Sequence, residues 1–174
     1  MSEKNFIGYE YHDVTVKRNM VSVYTDGYEN FGWQLEGTEY AMGAVDSIIL
    51  KFKRDRKIRN KTELTRLQRN FDACVGEIVA LENSKMVRAS IAAYAVGIIG
   101  TAFMASSVFA ITSGLVLLCI ILAVPAFAGW LLPYFLFKSI VKKKTAEVNP
   151  LIDQKYDEIY TVCEKANSLL DRVE

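Results

Sequence analysis

The chain is 174 residues long and carries 21 basic against 20 acidic side chains, a net charge of +1. That balance sets aside nucleic acid as a partner, because nucleic-acid binding calls for a strongly basic domain or face. Cys74, Cys119 and Cys163 are odd in number and share no metal-ligand spacing, which sets aside a disulfide framework and a metal site built on them.

The opening residues, MSEKNFIGYEYHDVTV, contain no apolar run of the kind a signal peptide needs, so the N-terminal part is expected on the side of the membrane where it is made. Tyr9 to Val16 alternates apolar and polar residues and predicts a strand, and Ser47 to Lys53 does the same. Between them, Met20 to Phe31 predicts a short helix stopped by Gly32, and Trp33 and Leu35 begin another strand. Residues 1–60 therefore read as a small β-α-β-β domain. His12 is the one histidine, and Asp13 beside it points to the opposite strand face, so no metal or catalytic pair forms locally.

Three short motifs, Tyr9-Glu10-Tyr11, Gly32-Trp33-Gln34-Leu35 and Phe52-Lys53-Arg54, resemble the uncharacterised bacterial DUF4177-type domain. The resemblance covers about a third of the chain, and Tyr24-Thr25-Asp26-Gly27 stands where that family has a leucine-rich helix. It implies a compact β-α-β-β unit in a bacterial protein and no catalytic residues. The basic run from Lys51 through Lys53, Arg54, Arg56, Lys57 and Arg59 to Lys61 reads as a solvated linker or a patch for an acidic partner.

From Thr62 the pattern changes. Leu64, Leu67, Phe71, Cys74, Ile78 and Leu81 recur at steps of three and four, the seam of a helix that needs a partner. Residues 61–88 make this first stalk helix. Ala89 to Ile111 and Leu115 to Phe137 then contain no charged residue, and each is long enough for the ~30 Å hydrocarbon core of a bilayer. Thr112, Ser113 and Gly114 alone separate them, so residues 89–137 predict an antiparallel transmembrane hairpin. Lys85 and Arg88 before it, and Lys138 with Lys142, Lys143 and Lys144 after it, place both ends on the cytoplasmic face of a plasma membrane. Lys142, Lys143 and Lys144 are expected at the headgroups.

Ala93, Gly97, Thr101 and Ala105 form a small-residue stripe on the first span, suited to close helix packing with another copy. Pro125 and Pro133 each remove a backbone hydrogen bond and predict kinks in the second span. Residues 138–174 hold the basic juxtamembrane segment and a second stalk helix. Asn149 and Pro150 predict a helix break near Val148, after which Ile152, Ile159, Val162, Ala166, Leu169 and Val173 repeat the seam. A pairing centred on Ser113 sets Leu67 against Ile159 and Leu64 against Val162, extending the hairpin into a two-helix stalk.

The fold class is thus an α+β membrane protein. No phosphate-binding loop, dinucleotide fingerprint, zinc-protease or hydrolase motif occurs, so neither an enzyme nor a cofactor is expected. Two readings stay open. One is a membrane-anchored scaffold or adaptor that self-associates and presents its domain to a cytoplasmic partner. The other is a homo-oligomeric ion channel gated by its stalk.

Overall fold

The computed structural model describes residues 7–44 and 46–170. Three strands, β1 (Tyr9–Lys17), β2 (Gln34–Tyr40) and β3 (Ser47–Asp55), form one antiparallel sheet in the order β1-β3-β2. Helix α1 (Val21–Glu29) lies between β1 and β2 in the chain, and two long helices follow, α2 (Lys61–Thr112) and α3 (Val116–Leu170). The chain is α+β and divides into two compact units. The first comprises residues up to Gly76 together with those from Lys155 onward, and the second is Glu77–Gln154. Both long helices contribute to each.

In the first unit the period-two pattern of the strands decides which face is covered. Val16 on β1 and Leu50, Phe52 and Arg54 on β3 are buried, while Tyr9 and Tyr11 on the opposite face stand 44% and 66% exposed. The bulge at Leu35/Gly37 lets β2 take up an extra residue against β3. Helix α1 stops two residues before the expected Phe31, in a Schellman cap: Gly32 N–H donates to the Glu29 carbonyl, Trp33 N–H donates to the Tyr28 carbonyl, and Gly32 has φ +80°.

The sheet alone leaves its apolar face uncovered. Tyr28 of α1 packs on Phe52, Phe71 of α2 packs in turn on Tyr28 and Phe31, and Leu64, Leu67 and Phe71 are at most 4% exposed, so the compact unit runs past residue 60 to Gly76. Ile159, Val162 and Ala166 of α3 are buried in the same unit. Val173, the last member of the expected seam, lies outside the described residues.

In the second unit α2 ends in the same cap as α1. Gly114 N–H donates to Ile111, Leu115 N–H to Ala110, and Gly114 has φ +79°. Near this turn the pairing is the expected one, with the Ser107 hydroxyl donating to the Cys119 carbonyl at 2.9 Å. Farther along it slips, and Gly100 meets Gly129, not Ala126. The slip falls on the stretch that contains Pro125, where the missing N–H interrupts the hydrogen-bond ladder.

The expected break near Val148 is absent. Helix α3 runs through Pro150 without interruption, because the neighbours of the proline are committed elsewhere. Val148 and Ile152 are buried at 7% and 8% exposure, and the Asn149 side chain accepts a hydrogen bond from Lys85 Nζ at 3.3 Å instead of capping a new helix.

Candidate functional site

Two regions carry residues whose arrangement goes beyond core packing: a groove on the first unit and the outer surface of the second.

The groove rests on an aromatic cluster. Phe71 packs edge-on against Tyr24, Tyr28 and Phe31, with ring centroids 5.7 to 5.9 Å apart, and Tyr28 lies 4.6 Å from Phe52. Gly27 makes this possible, since a Cβ there would run into the Phe71 ring. The polar edges of the cluster are satisfied: Trp33 Nε1 donates to Gln68 at 2.8 Å and the Tyr28 hydroxyl donates to Asp72 at 3.1 Å. Burial, joined by the nearby Asp72 charge, raises the Tyr28 phenol above its usual range, and burial raises Asp72 as well. His12 is exposed and stacks on Tyr28, with centroids 6.1 Å apart.

Arg54 differs from the solvated linker residue read from the sequence. Its side chain is 3% exposed, pairs with Glu10 at 2.6 Å, donates to the Phe31 carbonyl at 3.1 Å and lies 4.2 Å over the Trp33 ring. Lys61 pairs with the other Glu10 oxygen, while Lys51 and Lys53 pair with Glu39 and Glu36. Most of the basic run is therefore neutralised by the domain's own carboxylates. Arg56, Lys57 and Arg59 remain exposed.

Between α1 and the C-terminal turns of α3, both within the first unit, lies an open groove of about 690 Å³. Phe71 and Ile159 supply its floor. Val23, Asp26 and Asn30 line it from α1, and Tyr156, Asp157, Tyr160, Cys163 and Glu164 from α3. Residues 156, 160, 163 and 167 recur at helical spacing, so one face of α3 forms a wall about 17 Å long. Burial pushes the Cys163 thiol up to about 11, which keeps it a neutral apolar liner. Sequence periodicity identified Phe71 and Ile159 as seam residues. It held no signal for the groove, which needs α1 and α3 brought together.

On the second unit the large apolar side chains face outward. Ile91, Ile98, Phe109, Leu117, Val124 and Leu131 are each between 64% and 74% exposed. Two helices are long and apolar enough to cross a membrane, with mean hydropathy of 1.8 in α2 and 2.4 in α3 over their most apolar windows. Along α2, Ala93 and Gly97 are half-buried and Thr101 and Ala105 are exposed, and a Cβ on Gly97 would meet open space. Thr101 donates to the Gly97 carbonyl at 3.0 Å and Ser106 to the Ala102 carbonyl at 2.9 Å. Pro125 and Pro133 both lie inside α3. Of the three clustered lysines, Lys144 pairs with Glu147, whose carboxyl is held below the usual range by that hydrogen bond, and Lys142 and Lys143 are exposed.

Comparison of the chain with protein-family models, with curated proteins and with solved structures gives no match.

Proposed function

We propose that this chain is a non-enzymatic, membrane-anchored scaffold or adaptor: a small cytoplasmic domain of DUF4177 type, linked through two helices to a two-span hairpin that self-associates in the bilayer of a bacterial plasma membrane. The observation that carries the reading is the outward display of large apolar side chains over the second unit. A contiguous apolar surface of this kind is costly in water and fits hydrocarbon. In this reading Ala93, Gly97, Thr101 and Ala105 meet a second copy, Lys142, Lys143 and Lys144 meet headgroups, and both termini are cytoplasmic.

The hydroxyls of the first span favour anchoring over conduction. Thr101 and Ser106 give their protons to carbonyls of their own helix, which is how hydroxyls are satisfied in a dry environment, and neither span contains a charged side chain. The test is ion flux through the full chain reconstituted in liposomes, with the oligomer mass measured on the same sample. An impermeable, defined oligomer is expected. Ion-selective flux from such an oligomer would overturn the adaptor reading in favour of a channel.

A further inference from the structure

We propose that the groove between α1 and α3 is the docking site for a basic amphipathic helix of a partner protein. The inference rests on the adaptor reading and names the chemistry of the partner that such an adaptor recruits.

Shape is the first argument. The groove is walled by two helices, runs along about 17 Å of α3 and is floored by Phe71 and Ile159, the form that accepts the apolar face of a third helix. Tyr160, 75% exposed on the wall, offers a large amphipathic contact at little conformational cost.

Charge is the second. Asp26, Asp157 and Glu164 line the groove, and among the described residues no lysine or arginine does. Elsewhere in the same unit Glu10, Glu36, Glu39, Glu63 and Glu158 each hold a cationic partner. The carboxylates of Asp26, Asp157 and Glu164 hold none among the described residues. A helix with lysine or arginine beside its apolar stripe would place opposite charge against all three, and an acidic helix would be repelled.

Among the described residues, no cationic side chain lines the groove. The buried Arg54 and the paired Lys51, Lys53 and Lys61 are engaged by their own domain.

The experiment uses the full chain in phosphatidylcholine nanodiscs, with protein-free discs as the blank. Three probes are titrated: two synthetic amphipathic helices that share one leucine stripe, flanked in one by lysine and in the other by glutamate, and tetraphenylphosphonium. Alkylation of Cys163, resolved from Cys74 and Cys119 by peptide mapping, reports occupancy of the groove.

The lysine-flanked helix is expected to bind at least tenfold more tightly than the glutamate-flanked one and to slow Cys163 alkylation. The combined Asp26→Asn, Asp157→Asn and Glu164→Gln changes are expected to weaken it about tenfold, in line with three solvent-facing charge pairs. Equal affinity for the two helices, or unchanged Cys163 reactivity with the lysine-flanked helix bound, would overturn the proposal without any variant. So would binding of tetraphenylphosphonium alone, which would make the groove a small-cation site, or Cys163 protection by concentration of the chain itself, which would make it a self-association surface. An impermeable oligomer indifferent to both helices defeats this inference and leaves the adaptor reading standing. A conducting oligomer that still binds the lysine-flanked helix does the reverse.

Discussion

Gly100 and Gly129 meet backbone against backbone where α2 and α3 pack in the second unit. A Cβ on Gly100 would lie 2.9 Å from the Gly129 Cα, and one on Gly129 would lie 2.6 Å from the Gly100 Cα. Pro133, one turn after Gly129, has no N–H to offer the Gly129 carbonyl. That carbonyl oxygen lies 3.2 Å from where the Gly100 Cβ would stand, so the proline and the two glycines form one local arrangement.

Gly100→Leu is accordingly expected to force the helices apart and to lower the thermal stability of the reconstituted chain by about 1–3 kcal/mol or more, the cost of overpacking a rigid contact. Gly97→Leu, where a Cβ meets open space, is expected to leave that stability unchanged and to reduce the oligomer mass. Equal thermal losses for the two variants would remove the distinction between the contact within the hairpin and the contact between copies.

The aromatic cluster of the first unit offers a coupled test. Gly27→Ala drives a methyl group into the Phe71 ring and is expected to cost about 1–3 kcal/mol. In a Phe71→Leu background the same change should cost less, with a coupling energy of about 1 kcal/mol in a double-mutant cycle. Simple additivity would show that the crowding at Gly27 comes from elsewhere.

Acid sensitivity should trace to Glu10. Burial opposes its charge, but hydrogen bonds from Lys61 and Arg54 and the charges of both hold its carboxyl below the usual value. A carboxyl lowered in the folded state contributes stability above its unfolded pKa and loses it as pH falls through the folded value. Glu10→Gln should therefore cost about 2 kcal/mol at pH 7, leaving Arg54 buried without its anion, and the gap to the unmodified chain should close as pH falls through the lowered Glu10 value. Asp72, raised by burial, has the opposite sign: its contribution is present at low pH and lost as pH rises through its folded value. A gap that stays constant across the acid range would show that Glu10 acts by shape alone.

Pro150 sits exposed inside the continuous α3, where it withholds one helical hydrogen bond. Pro150→Ala is expected to raise thermal stability by about 1 kcal/mol, less than the full cost of an interior proline, because alanine also frees the unfolded chain. A loss of stability would mean that the proline ring is itself a packing group there.

Much of this was readable residue by residue. The alternation in Tyr9 to Val16 and in Ser47 to Lys53 predicts strands that the structure extends to Lys17 and Asp55, and the three- and four-residue steps from Leu64 to Ile78 mark side chains that are all buried. Local signals also misled. Asn149-Pro150 carries the signature of a helix start, but the burial of Val148 and Ile152 and the hydrogen bond from Lys85 hold α3 helical through it. Arg54 belongs by sequence to a basic linker and by structure to the core, because Glu10 and the Trp33 ring come from other elements.

By itself the sequence determined the segregation of charge, the two long apolar helices and the glycines that end α1 and α2, because hydropathy, helical periodicity and left-handed caps are written within a few neighbouring residues. Only the tertiary structure decided that Gly100 meets Gly129, that α2 completes the core of the small domain, and that Asp26, Asp157 and Glu164 line one groove. Those are contacts between residues distant in the chain, and their register depends on how far each helix advances and turns before the two meet, a quantity that a slip past one proline is enough to change.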